Sequence, residues 1–231
     1  MGAVISGAAS LLWRHFSCFV VVGLIASSPI LLLASTQTGE PADPEDINEW
    51  LWTEFLLAVF DTFGRAVIIH VALQDMRRRA PVSLIESLSV SLRCFWPLIG
   101  LAFADFLSEI GLYLLIVPGL VLYTVWFVGL PACIVEQLGF SASLRRSLDL
   151  TKGHRWKAFG LMLLLLTQTL GSWFVEPWLS AAAGRIVGAV GHLIWDGVWV
   201  GLDATVLIVA YRDLRLAKEG TDIEQIASVF D

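Results

Sequence analysis

Charge is scarce in this 231-residue sequence: Asp, Glu, Lys and Arg together make up 16% of it, against 57% hydrophobic residues and a mean hydropathy of +0.75. That composition excludes an ordinary soluble domain and describes a chain whose solvent is mostly lipid. Cysteine is sparse as well, with three residues and no CxxC pair. Neither HExxH nor a glycine-rich phosphate loop occurs, so metal-dependent hydrolysis, nucleotide binding and redox chemistry have no motif to rest on, and no metal or cofactor is expected. Lysine and arginine are missing altogether from residues 40–49, EPADPEDINE. The net charge of −6 says little about partners, because in a membrane protein the side on which each charge lies matters more than the total.

Long apolar runs are what the sequence does have. Stretches able to cross roughly 30 Å of hydrocarbon, about 20 residues each, fall near Phe16 to Ala34, Trp50 to Gln74, Phe95 to Val117, Leu120 to Gln137, Trp156 to Val175 and Ile186 to Tyr211. The third and fourth are expected to turn at Val117-Pro118-Gly119. Basic residues stay on the cytoplasmic side of spans. With the N-terminus inside, Arg14, Arg77, Arg78, Arg79, Arg93, Arg145, Arg146, Lys152, Arg155, Lys157, Arg212, Arg215 and Lys218 all become cytoplasmic, and the acidic 40–49 loop becomes external. The expectation is an all-α polytopic bundle in a bacterial inner membrane, six spans with both termini cytoplasmic, forming one membrane domain over residues 1–231. The first span reads as uncleaved, since its apolar run is long for a signal peptide and its basic pair lies well inside the chain.

A half-polar stretch recurs within this apolar chain. VSLIESLSVSLRCFWPLIGL, residues 82–101, returns as ASLRRSLDLTKGHRWKAFGL, residues 142–161, with Ser83, Leu84, Ser87, Leu88, Trp96 and Gly100 falling on Ser143, Leu144, Ser147, Leu148, Trp156 and Gly160. Each copy is amphipathic: Ile85, Leu88 and Leu92 share one helical face, as do Phe140, Leu144 and Leu148. Such a helix can lie in the headgroup layer with its arginines toward anionic lipid. A weaker third copy is read at residues 211–225, its apolar face carrying Ile223, Ile226 and Phe230. Three units, about 1–93, 94–153 and 154–231, each a helical hairpin followed by an interfacial helix, would form a bundle with a basic cytoplasmic collar. That collar comprises Arg77, Arg78, Arg79, Arg93, Arg145, Arg146, Lys152, Arg155 and Lys157. Repetition of this kind does not by itself mean transport.

Residues 116–160 and 209–220 carry a resemblance. Pro118-Gly119, Trp126, Pro131, Glu136, Gly139, Ala142, Arg146-Ser147, Gly153, Trp156 and the Tyr211 to Arg215 stretch make the C-terminal half resemble bacterial six-helix proteins grouped with the membrane domain of glycerophosphoryl diester phosphodiesterase. In that family the phosphodiesterase activity belongs to a separate soluble catalytic domain, which nothing in this sequence could encode. The resemblance therefore implies a membrane fold and no catalytic residues.

Ionisable groups within the spans are the strongest functional lead, since a charge at mid-bilayer costs about 2.5–3.5 kcal/mol on insertion scales and needs a partner. Arg65 lies ten residues before Asp75 and Asp203 ten before Asp213, each about 15 Å above the cytoplasmic helix end at 1.5 Å per residue. Asp105 reaches a similar depth in the third span, and Asp61 sits one turn from Arg65. One buried cluster of Asp61, Arg65, Asp105 and Asp203 is expected. It reads either as a knot that fixes helix register or as an ion-coupling site in a small-molecule or lipid transporter, where burial would raise the excess carboxylates.

Ser172 and His192, near the outer ends of the last two spans, suggest the pairing of an intramembrane serine protease, but the turn that would expose the serine is missing. Three classes follow: a non-enzymatic membrane protein whose collar engages anionic lipid or a protein partner, a transporter, and an intramembrane enzyme for which no nucleophile with a positioned base is found. The first is the expected function. The basic collar is read as facing lipid and not nucleic acid, because anionic lipid is always adjacent.

Overall fold

The structure is a computed structural model that describes residues 2–29, 47–77 and 83–220. Among these residues it is all helical, with ten helices: α1 Gly2–Arg14, α2 Phe16–Ser27, α3 Ile47–Met76, α4 Leu84–Arg93, α5 Phe95–Leu114, α6 Ile116–Trp126, α7 Gly129–Glu136, α8 Phe140–Thr151, α9 Arg155–Ala183 and α10 Arg185–Glu219. Four stretches are long and apolar enough to cross a membrane: Leu51–Met76, Phe95–Leu112, Ile116–Glu136 and Ile186–Glu219. A fifth exists if the α1–α2 pair, bent by 88°, is taken as one span. The expected span from Trp156 to Val175 lies within α9.

α10 is the central element and packs on α1, α2, α3 and α9. Small residues bring the partners close. A Cβ on Gly23 of α2 would run into the Gly197 carbonyl of α10, and one on Gly64 of α3 would meet Ala26 of α2. Without a hydrophobic driving force between helices in lipid, such close approaches supply packing contact that bulkier residues would forfeit.

Two details differ from expectation in the middle of the chain. The α5–α6 turn is made at Leu115, the one non-helical residue between them, and Pro118 and Gly119 lie inside the first turn of α6. Proline is tolerated there because a first-turn amide has no intrahelical acceptor. Gly119 packs onto the α5 backbone at Gly111 and Leu112. The expected span from Leu120 to Gln137 is also interrupted, since α6 ends at Trp126 and α7 begins at Gly129. Ser147 of α8 fills the break: its hydroxyl donates to the Val125 carbonyl (2.8 Å) and accepts from the Val128 amide (3.1 Å). Both are among the groups the interruption deprives of helical partners.

Three helices of 10 to 13 residues gather at one end of the bundle and each leads through a tight elbow into the next helix. α1 turns at His15 into α2, α4 turns at Cys94 into α5, and α8 turns through residues 152–154 into α9. α4 starts at Ser83, whose hydroxyl accepts from the Glu86 amide (3.2 Å), the geometry of an N-cap with Glu at the third helical position. In α4 and α8 the serines face the bundle. Ser87, Ser91, Ser143, Ser147 and Thr151 are fully buried, while Ile85, Leu88, Leu92 and, less fully, Leu148 are exposed.

The recurring serines therefore lie against neighbouring helices; the apolar face of α4 turns away from the bundle, whereas on α8 Leu144 packs on the core and Phe140 lies against Gly100 of α5. The buried hydroxyls are satisfied mostly by the carbonyl one turn back: Ser87 to Ser83, Ser91 to Ser87, Ser143 to Gly139 and Thr151 to Ser147, at 2.8–3.0 Å. α1 is a short helix before a span that the sequence reading did not anticipate. Residues 211–219, read there as the start of a third interfacial copy, simply continue α10. Ile223, Ile226 and Phe230 lie outside the described residues.

Candidate functional site

Three long helices converge on one guanidinium. Arg65 of α3 contacts Asp61 one turn back (Nη2 to Oδ2, 2.8 Å), Asp105 of α5 (Nη2 to Oδ2, 3.1 Å) and Asp203 of α10 (Nη1 to Oδ2, 3.0 Å). Nη2 also reaches Thr62 Oγ1 at 3.4 Å, while Nε has no partner among the described residues. α5 and α10 share no extensive contact, so the arginine is what joins them electrostatically. Three carboxylates against one guanidinium leave a net negative site if all are ionised.

The charged region extends beyond these four residues. Glu109, one turn beyond Asp105, lies within electrostatic range of Glu54, Asp105 and Asp61, and Tyr123 of α6 within range of Asp105, Arg65 and Asp203. Glu54 in turn faces His192, whose Nε2 is 3.2 Å from Asp196. Sequence reasoning singled out neither Glu54 nor Glu109. The available signal was helical phase: Glu54 precedes Asp61 by two turns and Glu109 follows Asp105 by one. Arg65 and Asp203 are mostly buried, yet Asp61 and Asp105 keep 37% and 32% of their side-chain surface open. No group of three or more His, Cys, Asp or Glu among the described residues is arranged to hold a metal ion. Arg65 occupies the point between the carboxylates that a bound cation would need.

A second network closes the opposite, elbow-bearing end. Glu136, the last residue of α7, accepts from Arg146 Nε of α8 (2.8 Å) and from the Tyr211 hydroxyl of α10 (2.5 Å). Arg146 also pairs with Glu219 (2.6 Å), which Arg215 holds at 3.0 Å. Burial alone would lower the Arg146 pKa, but hydrogen bonds to Glu219 and Glu136 more than reverse this and raise it above its ordinary value. Beside this network, Asp75 at the end of α3 ties down the first elbow through Arg14 (2.9 Å) and His15 (3.1 Å).

The basic residues grouped in the collar thus have different surroundings. Arg93, Arg145, Lys152, Arg155 and Lys157 are exposed at the second and third elbows, Arg77 is half-buried, and Arg146 is held by two glutamates. Arg78 and Arg79 lie outside the described residues. His192 is engaged with Asp196 on its own helix, and the Ser172 side chain is likewise not among those described. Cys94 and Cys133 are buried neighbours, the first donating toward Gln137 Oε1 (3.5 Å) and the second toward the Leu138 carbonyl (3.3 Å).

Comparison with known proteins adds no relative: no family model, curated protein or solved structure matches the chain.

Proposed function

We propose that the chain is a multi-pass protein of a bacterial inner membrane, with six spans and cytoplasmic termini, that performs no chemistry of its own. It engages anionic lipid, or a partner seated on that lipid, through the rim formed by its elbows. The observation carrying this reading is the exposure of Trp13, Trp96 and Trp156, which are 84%, 78% and 85% open. Each stands at one of the three elbows, within three residues of a basic side chain. Indole rings favour the membrane–water interface, and the outward apolar face of α4, with Leu148 of α8, suits the same layer.

The phase of the three elbows supports internal repetition shifted from the expected one: a short helix first, then its hairpin. α1 leads α2 and α3, α4 leads α5 through α7, and α8 leads α9 and α10. This arrangement is compatible with the membrane part of the phosphodiesterase-associated family.

Spin labels on cysteines introduced at Trp13, Ile85 and Leu148 of the full chain in vesicles test the reading. Labels about 5–10 Å below the headgroups, more accessible to oxygen than to a water-soluble nickel chelate, support it. Labels open only to the chelate overturn it.

The partial openness of Asp61 and Asp105 favours a second reading, in which the arginine-centred cluster serves the passage of a small molecule or lipid. Cysteine at Asp105 in a cysteine-free background distinguishes the two. Labelling by a small hydrophilic thiol reagent in membranes supports passage, and protection in a folded protein leaves the cluster as a dry knot that sets helix register.

A further inference from the structure

The three elbows are alike in build and unlike in charge. At the first, Arg14 is paired with Asp75, which His15 also contacts. At the second, the exposed Arg93 shares α4 with the exposed Glu86. At the third, Arg145, Lys152, Arg155 and Lys157 are all exposed within thirteen residues, with Asp149 on α8 and Asp213 on α10 as the exposed carboxylates nearby.

We infer that recognition of anionic phospholipid is concentrated at the α8–α9 elbow, which carries the largest group of exposed basic side chains among the described residues. The inference rests on the rim reading above and narrows it to one place and one chemistry, the phosphodiester headgroup of a bilayer lipid.

Three further features of this elbow fit that occupant. Arg145 lies on α8 and Lys152 just past its end, and the φ of +92° at Gly153, with open space around it, turns the chain so that Arg155 and Lys157 follow on the next helix. α9 starts here without a side-chain cap, so the positive end of its peptide dipoles adds to the attraction for an anion. Trp156 stands outward between Arg155 and Lys157, at the level where an indole meets headgroups. Lys157 and Asp213 both border a small crevice lined by Val4, Phe127, Leu161 and Leu214.

The ends of α7, α8 and α10 hold this arrangement in place. Arg146, next to Arg145, is turned inward onto Glu136 and Glu219, so the inward and outward arginines of α8 divide the structural and lipid-facing roles between them.

The test uses the full chain in nanodiscs of equimolar phosphatidylglycerol and phosphatidylcholine, with the lipids retained after mild detergent extraction counted by native mass spectrometry. Wild type is expected to retain phosphatidylglycerol preferentially. R145Q/K152Q/R155Q/K157Q is expected to lose that preference by at least about tenfold, since each basic residue near an anionic surface is worth about 1 kcal/mol, roughly fivefold, and R93Q is expected to keep it.

Equal loss in the quadruple variant and in R93Q overturns the localisation while leaving the rim reading standing. No preference in wild type overturns both. A circular-dichroism melt of each variant confirms folding, and K152Q/K157Q, which changes only the turn and the crevice rim, carries the same expectation at a smaller scale. Retention of the full preference in a folded quadruple variant overturns the proposal outright.

Discussion

Ser147 and Val128 belong to different helices, yet the serine hydroxyl completes the backbone of the other: it accepts the Val128 amide at 3.1 Å while donating to the Val125 carbonyl at 2.8 Å. In hydrocarbon an unsatisfied peptide group costs several kcal/mol, which is why an apolar span can be interrupted between Trp126 and Gly129 only where another helix supplies the partner. Ser147→Ala is expected to lower stability by about 1–3 kcal/mol. Ser91→Ala removes a hydroxyl that returns only to its own helix and should stay within about 0.5 kcal/mol. Thermal unfolding in detergent compares them, and equal losses would refute the role given to Ser147.

Gly23 faces the Gly197 backbone so closely that an added Cβ meets main-chain atoms, which cannot rotate away as a side chain could. Gly23→Ala should therefore separate α2 from α10 and cost about 1–3 kcal/mol. Gly2→Ala, with nothing within 4 Å, serves as the neutral control. The comparison is read as the unfolding midpoint of the two variants against the parent.

Arg65 holds carboxylates from α3, α5 and α10. Removing one partner of a buried ion pair leaves an uncompensated charge, so Arg65→Met is expected to cost about 3–5 kcal/mol. Adding Asp61→Asn, Asp105→Asn and Asp203→Asn to Arg65→Met should recover much of that loss. A quadruple variant no more stable than Arg65→Met alone would mean that packing, and not charge, holds the three helices together.

The common depth of Arg65, Asp105 and Asp203 could be read from residue counts, because rise along a helix is fixed and each lies nine or ten residues from an inner landmark. Which atoms pair, and that Glu109 and Glu54 border the same region, depends on helix rotation, which counting does not give. The recurring Ser87 and Ser147 were visible as a pattern, but their direction was not: amphipathicity separates two faces without saying which one the bundle takes. The break filled by Ser147 was signalled only by Gly129 and by Pro131, whose missing N–H leaves the Phe127 carbonyl without its helical donor, and reading Leu120 to Gln137 as one apolar run passed over both. α1 escaped notice because alanine, glycine and serine blur its two faces.

Cys94, at the second elbow, is buried beside Cys133, and burial pushes its thiol above the ordinary value, only partly offset by the hydrogen bond with Cys133. The folded state thus holds the proton more tightly than the unfolded chain. The stability this contributes is complete below the unfolded thiol's pKa and is lost as pH rises through the raised one. In a variant with Cys18 and Cys133 changed to serine, Cys94 should resist iodoacetamide at neutral pH in the folded protein and react readily once unfolded, as intact-mass measurement would show. Prompt reaction in the folded state would contradict the burial.

Arg145 and Arg146 are adjacent in sequence and opposite in surroundings, so substituting each in turn separates surface charge from structural pairing. Arg145 is exposed, and an exposed charge typically contributes within about 0.5 kcal/mol; Arg145→Gln should leave the melt unchanged. Arg146 bridges Glu136 at 2.8 Å and Glu219 at 2.6 Å, and Glu136 also takes the Tyr211 hydroxyl. Arg146→Gln therefore leaves a half-buried carboxylate facing a phenol, with Arg215 too distant at 3.8 Å to replace both contacts, and should cost about 1–3 kcal/mol. Combined with Tyr211→Phe, the loss should be less than the sum of the two single losses, because both residues act through Glu136. Strict additivity would mean that the two contacts work independently and that Glu136 does not couple them.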